Sequence, residues 1–241
     1  MNTSENVNDI KAALEVLALP EKAAFYPKFF KAGKGQYAEG DVFIGVTVPE
    51  QRKIAQFYAD RFSLDDISQL IQSPVHEHRL TSLLILVKQF EKTKNETIQK
   101  DIISFYLKHI PFINNWDLVD TSCYKILGRY CFEHSKDEIL IELAESDNLW
   151  RKRIAVVSTM QYVKKGSFSS LKKLALLNLK HSHDLMHKAN GWLLREMGKV
   201  SEKDLLEFLN QYYHDMPRTT LRYAIEKLDE ETRQNYLKGR V

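Results

Sequence analysis

Apolar residues recur at the spacing of an amphipathic helix along most of the chain, and few glycines or prolines interrupt them. Each such segment follows a short polar entry that suits a helix start. The segments are LTSLLILVKQF, LVDTSCYKILGRYCF, IAVVSTMQYV, GWLLREMGKV and LRYAIEKL. Strict alternation, which is typical of strands, is nearly absent, and DVFIGVTV is the best candidate for a short extended piece. The sequence therefore predicts an all-α chain of about a dozen helices.

A repeat organises these helices, because Arg79, Trp116, Arg153 and Asn190 follow one another at intervals of 37 residues. This period lies between the lengths of tetratricopeptide and HEAT or armadillo repeats. Each unit can hold two helices and a turn, and such a pair buries its apolar face only against a stacked neighbour. We expect a single domain over residues 1–241, a right-handed α-solenoid of HEAT-like repeats. The second helix of each pair should line a concave groove, with the polar entry turns along one edge.

The charge of the chain is unevenly distributed, although its net value is only +3 over 241 residues. Residues 1–148 carry 17 Lys and Arg against 22 Asp and Glu, a net charge of −5, whereas residues 149–241 carry 18 against 10, a net charge of +8. A basic groove that binds a polyanion is therefore plausible in the second part. An ordinary solvated surface remains the alternative.

The chain shows no targeting segment and no metal motif. Its opening residues, MNTSENVNDI, lack a basic stretch followed by an apolar one, and no window approaches 18 apolar residues, so we expect a cytoplasmic protein without a membrane span. Cys123 and Cys131 are eight residues apart in one apparent helix, too far apart to bridge. Two thiols without clustered partners predict no zinc site.

Four of the nine glycines lie in one segment, GKGQYAEGDVFIG, which predicts a loop insertion over residues 32–46. Thr47 and Glu50 fit a capping box, with Pro49 in the permissive first turn of the helix that follows. The loop should therefore end near residue 47. A phosphate-binding Walker loop would need Gly-Lys-Ser or Gly-Lys-Thr at its end, and neither tripeptide is present.

The stretch NNWDLVD has two interpretations. In the structural one, Asp117 is an N-cap, Asp120 complements the helix start, and Trp116 precedes the cap. In the functional one, Trp116 and Asp120 share a helix face, because they are four residues apart, and place an aromatic wall beside a carboxylate.

The stretch SDNLWRKRIAVV places Arg151 and Arg153 near a helix start capped by Asp147 or Asn148. Cations there oppose the helix dipole, so an anion such as phosphate is a natural partner, with a salt bridge to Asp147 or Glu145 as the alternative.

The positions of the tryptophans also favour a functional interpretation. Trp116, Trp150 and Trp192 all fall in or beside predicted entry turns rather than deep in apolar segments. Lys188 precedes Trp192 by four residues and Arg195 follows it by three. Tryptophan is nevertheless most often a core residue.

Four ordered segments resemble the AlkC/AlkD family of HEAT-like repeat DNA glycosylases. They are FFKAGKGQYAEGDVFIGVTVPEQR, WDLVD, DNLWRKRIAVV and KANGWLLREMGK. The resemblance extends over most of the chain and implies hydrolysis of the N-glycosidic bond of cationic N3- or N7-alkylated purines. It further implies that this occurs in duplex DNA, without a metal or cofactor and without full flipping of the base into a pocket.

The resemblance also implies roles for individual residues. Asp120 corresponds to the catalytic carboxylate, and Trp116 and Trp192 to the tryptophans that pack against the damaged nucleotide. Arg153 corresponds to the arginine that holds phosphate. The full expected DNA-binding set consists of Arg153, Arg151, Lys188, Arg195, Arg79 and Arg222. The expected partner is double-stranded DNA with alkylated bases, bound by a monomer.

Two departures from the family pattern leave alternatives open. Asn115 stands where the best-known motif has a second aromatic residue, and the glycine-rich loop is longer than usual, as in a branch for which binding of branched DNA has been proposed. A catalytically silent protein that binds branched or damaged DNA is therefore the first alternative. A protein-interaction solenoid is the second.

Overall fold

A computed structural model of the protein describes residues 6–241. The first five residues, which belong to the opening segment considered above, lie outside the described residues. The chain divides into two compact units, Met1–Ser122 and Cys123–Val241. The single domain expected from the sequence stays a prediction.

The described part of the first unit contains seven α-helices and a short 3-10 turn at Ile110–Phe112. The helices are α1 (Val7–Val16), α2 (Pro20–Phe29), α3 (Val48–Tyr58), α4 (Leu64–Ile71), α5 (His76–Lys92), α6 (Glu96–Lys108) and α7 (Trp116–Ser122). Helix α5 is the centre of this unit, and α1, α3, α4, α6 and α7 all contact it. Thirteen of its 17 residues are buried, from the ionisable first turn, HEHR, to the mainly apolar middle, LTSLLILV.

The second unit begins with a π-helical turn at Tyr124–Gly128 and has a 3-10 turn at Tyr213–Asp215. Its helices are α8 (Arg129–His134), α9 (Asp137–Glu145), α10 (Leu149–Ser158), α11 (Met160–Val163), α12 (Ser169–Leu177), α13 (Asp184–Val200), α14 (Glu202–Tyr212), α15 (Arg218–Ala224) and α16 (Glu230–Lys238). Helix α13 lies between α10 and α15 and also contacts α14. Cys123 and Cys131 are buried and form no disulfide.

Within each unit the packing is that of stacked helix pairs. Helices α3, α5 and α7 form one contacting series, and α10, α13 and α15 form another, while α4 and α9 pack beside α5 and α10. The described residues contain no strand, only an isolated parallel bridge between Val42 and Val75. The prediction of an all-α fold of helical repeats is confirmed. The right-handed twist and the basic concave groove stay predictions. No helix within residues 6–241 is long and apolar enough to cross a membrane.

The helix caps agree with the sequence prediction at α10 but not at α3. Asn148 caps α10, accepting hydrogen bonds from the backbone N–H groups of Trp150 and Arg151. Thr47 does precede α3, as expected, but its side chain makes no capping hydrogen bond. The capping box predicted for Thr47 and Glu50 is therefore wrong. The extended backbone of Thr47 together with a proline in the first turn is enough to start the helix.

The expected alignment of entry turns is only approximate. Trp116 is the first residue of α7, whereas Arg79 is the fourth residue of α5 and Arg153 the fifth of α10. Asn190 is the seventh residue of α13 and is buried. The 37-residue spacing is present in the sequence, but the four residues lie at different distances from the first residues of their helices.

Candidate functional site

Trp116 and Asp120 lie on one side of α7, where both line a cavity of about 330 Å³. Helix α7 begins at Trp116, so Asp117 lies inside its first turn and the alternative of Asp117 as N-cap is wrong. The preceding Asn115 is buried, and its carbonyl oxygen accepts the closing hydrogen bond of the first turn from the backbone N–H of Val119. The prediction that Trp116 and Asp120 share a face is confirmed. Asp120 is partly exposed.

One wall of this cavity is aromatic and comes from the end of α2. Tyr26, Phe29 and Phe30 all line the cavity, because residues three and four apart on a helix share a face. The Phe30 ring stacks on the Trp116 indole with centroids 5.5 Å apart and planes at 27°, while the Phe29 ring meets it edge-on at 5.8 Å. Phe29 remains 48% exposed, so the aromatic surface continues from the cavity toward solvent.

A buried chain of charged groups lies beneath the aromatic wall. The two ring nitrogens of His76 lie 2.8 Å from Oδ2 of Asp117 and 3.0 Å from Oδ2 of Asp41. Nη2 of Arg79 donates to the same Asp41 oxygen at 2.5 Å. Burial by itself lowers the pKa of His76, but the carboxylates of Asp117 and Asp41 outweigh it and raise the pKa to about 9. His76 is therefore an imidazolium at neutral pH.

The glycine-rich segment is fastened to α5 by Glu77. Its Oε1 atom accepts hydrogen bonds from the backbone N–H groups of Gly45 at 2.7 Å and Ile44 at 3.2 Å. Glu77 is only 1% exposed and lines the cavity. Together with the Asp41–His76 contact, these bonds make the loop a fixed part of the site.

Arg79 is not on the surface. The residue is 5% exposed, and its guanidinium is paired with Asp41 and donates a long hydrogen bond of 3.4 Å to the Ser73 carbonyl. The expectation that Arg79 projects from an entry turn toward DNA is therefore wrong. The partner that draws it inward, Asp41, is 38 residues away in the sequence.

In the second unit, Arg151 and Arg153 differ in exposure. The Arg151 side chain is 38% exposed, with Nη2 lying 3.7 Å from a carboxylate oxygen of Glu142 rather than from Asp147 or Glu145. Arg153 is only 5% exposed and donates to the carbonyl of Leu185 in the first turn of α13. Its expected exposure is wrong, and its contact with phosphate stays a prediction.

The other candidate residues of the second unit lie on α13 and α15. Trp192 is the ninth residue of α13 and half-buried, so its placement in an entry turn is wrong. Lys188 pairs with Asp184 at 2.7 Å, and Arg195 is held by Glu226 and Glu196.

Arg222, on α15, is exposed, and no acidic side chain among residues 6–241 forms an ion pair with it. Trp150, the second residue of α10, is buried in the core.

The family profile described as DNA alkylation repair enzyme matches residues 10–228, which is nearly the whole chain. The chain belongs to this family. A solved structure described as a predicted DNA alkylation repair enzyme from Enterococcus faecalis shares the fold, with a TM-score of 0.69 and 19% sequence identity. The alignment covers 88% of this chain and 97% of that one. Among curated proteins, no significant match to the sequence was found.

The sequence did not indicate several of the residues that build the cavity of this DNA alkylation repair family member. His76, Glu77 and Asp41 carry no local motif, because their partners lie 32 to 41 residues away. The aromatic wall had a visible signal in the stretch FYPKFF, residues 25–30. Four of these six residues are aromatic, which is more than a small helix needs for its own packing. No residue of α2 is buried.

Proposed function

We propose that the protein is a monofunctional DNA glycosylase that releases cationic N3- or N7-alkylated purines from duplex DNA. Membership of the DNA alkylation repair family supports action on alkylated DNA. The observation that carries the finer proposal is the location of a partly exposed carboxylate, Asp120, four residues after Trp116 in one aromatic-lined cavity.

The chemistry of the lesion determines what the site has to do. An alkylated N3 or N7 purine carries a positive charge and leaves as a neutral base, so protonation of the leaving group adds little. Positive charge instead develops on the deoxyribose, as an oxocarbenium-like centre. A nearby ionised carboxylate stabilises that charge and orients the attacking water, as carboxylates do in glycoside hydrolysis.

We assign this role to Asp120, with Trp116 packing against the sugar and its neighbouring backbone. An aromatic face next to a cationic lesion contributes about 0.5–2 kcal/mol. The assignment requires no metal or cofactor. Among residues 6–241, no group of three or more His, Cys, Asp or Glu side chains is arranged to hold a metal ion.

Residues of the second unit enter the proposal through the sequence resemblance. We propose that Trp192 contacts the damaged nucleotide and that Arg153, Arg151, Lys188, Arg195 and Arg222 contribute to phosphate binding. Phosphate contacts give affinity and register without sequence preference, which suits a protein that scans for damage. Arg79 is left out of this set, because its charge is neutralised by Asp41 inside the protein.

The test is the release of free bases from duplex DNA treated with a methylating agent, resolved by chromatography. We expect 7-methylguanine or 3-methyladenine to accumulate in proportion to protein and time, above spontaneous depurination. DNA binding without release would overturn the proposal in favour of a silent binder of branched or damaged DNA. Absence of salt-sensitive DNA binding would favour a protein-interaction scaffold.

A further inference from the structure

The exposed face of α2 carries aromatic residues where the surface of a helix is normally polar. After the first residue of the helix, the exposed positions are Glu21, Ala24, Phe25, Lys28 and Phe29, which follow the three- and four-residue spacing of one helix face. Phe25 and Phe29 are 56% and 48% exposed, and their rings lie 5.7 Å apart at 30°. Together with Lys28 they form the α2 ledge.

The segment around this ledge is basic. Residues 18–38 carry four lysines against one glutamate, a net charge of +3, although residues 1–148 as a whole carry a net charge of −5. The lysines are Lys22, Lys28, Lys31 and Lys34. None of them forms an ion pair with an acid among residues 6–241. Positive charge that the protein itself does not balance favours a polyanionic partner.

The ledge adjoins the cavity of the first unit but extends beyond it. Phe29 lines the cavity and meets the Trp116 indole edge-on at 5.8 Å, whereas Phe25 lies outside the cavity. The three rings therefore form a series that leads from the cavity to solvent. A DNA strand that reaches Asp120, as the proposed function requires, would place neighbouring nucleotides beside α2.

Unpaired nucleotides fit this combination of side chains. Bases inside an intact duplex are covered by their neighbours, whereas an unpaired base has a free face that can stack on an aromatic ring. Its phosphates can meet lysines at the same time. A membrane surface fits less well, because interfacial helices keep their charges off the apolar face, and here Lys28 lies between the two rings in sequence and on the same face.

We propose that the α2 ledge binds unpaired nucleotides of DNA, with bases stacked on Phe25 and Phe29 and phosphates held by Lys28 and Lys31. The bases bound there are ordinary ones outside the cavity, so this surface goes beyond the release of alkylated purines. It rests on the proposed function only for the position of the DNA strand. The protein should accordingly prefer a duplex with a single-stranded overhang to a blunt duplex.

A pair of matched strands tests whether bases are bound. One is a single strand of mixed sequence of about 12 nucleotides, a length within the usual range for such sites. The other has the same length but consists of tetrahydrofuran abasic residues, which keep the phosphates and lack the bases. By fluorescence anisotropy we expect the strand with bases to bind about tenfold more tightly. Equal affinities for the two strands would overturn the proposal.

A pair of phenylalanine variants locates the binding. Phe25→Leu keeps an apolar side chain but removes the ring, and should reduce the preference for the strand with bases by about threefold or more. Phe57→Leu is the control, because Phe57 is 52% exposed but lies on α3 with the Arg61 guanidinium 3.6 Å from its ring centroid. This variant should keep the full preference. Identical preferences in the two variants would contradict a stacking role for α2.

A pair of lysine variants tests the phosphate contacts. Lys28→Gln should weaken both strands by the same factor and reduce the slope of log affinity against log salt by about 0.7. Lys100→Gln removes the same charge from an exposed position of α6 and should leave the slope unchanged. Equal slopes in the two variants would remove the phosphate contact from the ledge and overturn the proposal as stated.

Two further outcomes separate this proposal from its alternatives. Binding to vesicles of phosphatidylglycerol and phosphatidylcholine that Phe25→Leu abolishes, without a preference for the strand with bases, would overturn it in favour of a membrane contact. The preference for bases without release of alkylated purines would leave the ledge standing and remove the glycosylase activity. Release from blunt duplex without that preference would leave the activity standing and remove the ledge.

Discussion

Nε2 of His76 lies 2.8 Å from Oδ2 of Asp117, a contact that joins the first turn of α5 to the first turn of α7 across 41 residues of sequence. The other ring nitrogen contacts Asp41 of the glycine-rich segment. One protonated imidazole thus ties the loop and α7, the helix that carries Trp116 and Asp120, to the central helix of the first unit.

The stability of the protein should depend on this proton. The pKa of His76 is raised from 6.5 to about 9 in the folded protein, so the folded state binds the proton more tightly than the unfolded state. The resulting stabilisation is fully present below about pH 6.5 and is lost as the pH rises through 9. We expect the free energy of unfolding in urea to fall by on the order of 2 kcal/mol across this window.

The variant His76→Gln supplies the comparison for this prediction. Glutamine cannot be protonated, so it leaves Asp41 and Asp117 without the charge that faces them, although Arg79 still contacts Asp41. The variant should be less stable by about 3–5 kcal/mol near pH 6.5, and the difference from the wild type should shrink toward pH 9. A difference that stays constant over this range contradicts the assignment of the proton to His76.

Gly45 should resist any substitution. Its φ is +89°, and an added Cβ atom would lie 2.2 Å from the carbonyl oxygen of Leu19, at the start of α2. Gly45→Ala therefore combines backbone strain with a clash and disturbs the N–H that binds Glu77. We expect a loss of about 3 kcal/mol or more in unfolding free energy, measured by urea denaturation.

Gly35 is the matched control for this substitution. It also has a positive φ, +74°, but nothing lies within 4 Å of an added Cβ atom. Gly35→Ala should thus cost only the backbone term, about 1–2 kcal/mol. Equal losses in the two variants would show that the close approach between Gly45 and Leu19 does not matter for stability.

Arginine variants should separate phosphate contacts from structural ion pairs. Arg222→Ala removes an exposed cation and should weaken DNA binding, with the slope of log affinity against log salt reduced by about one. Arg153→Ala should do the same if the residue holds phosphate. Arg79→Met should lower the melting temperature and leave the slope unaltered, because it breaks the pair with Asp41 inside the protein.

For each arginine variant, one result would contradict the role assigned to that residue. An Arg222→Ala slope equal to that of the wild type removes this residue from the DNA-binding surface. For Arg153, a lowered melting temperature with an unaltered slope indicates a structural role through the carbonyl of Leu185. A reduced slope in Arg79→Met would show that this arginine reaches DNA despite its burial.

The parts of the fold that local sequence governs were predictable. Helical periodicity and polar caps such as Asn148 depend on residues a few positions apart, and the four-residue spacing of Trp116 and Asp120 placed them on one face. The resemblance to known repair proteins then supplied candidate roles that spacing alone left open between a structural and a functional interpretation.

The burial of individual side chains was not predictable from local sequence. Arg79 is drawn inward by Asp41 and Arg153 by a carbonyl at the start of α13, and both partners are more than 30 residues away in sequence. The 37-residue period says which residues are equivalent in the repeat but not how many residues precede them in each helix. Glu77 carries no signal at all, because its partners are backbone groups of a loop.

The glycosylase proposal depends on the carboxylate of Asp120, which we assign to the chemical step. The decisive measurement is the release of 7-methylguanine from methylated duplex DNA under single-turnover conditions, for the wild type, Asp120→Asn and the exposed-site control Asp101→Asn. We predict that Asp120→Asn loses at least 100-fold in rate, as expected for removal of a charge-stabilising group, with DNA affinity changed less than about threefold and Asp101→Asn unaffected. A rate for Asp120→Asn equal to that of the wild type would contradict the claim.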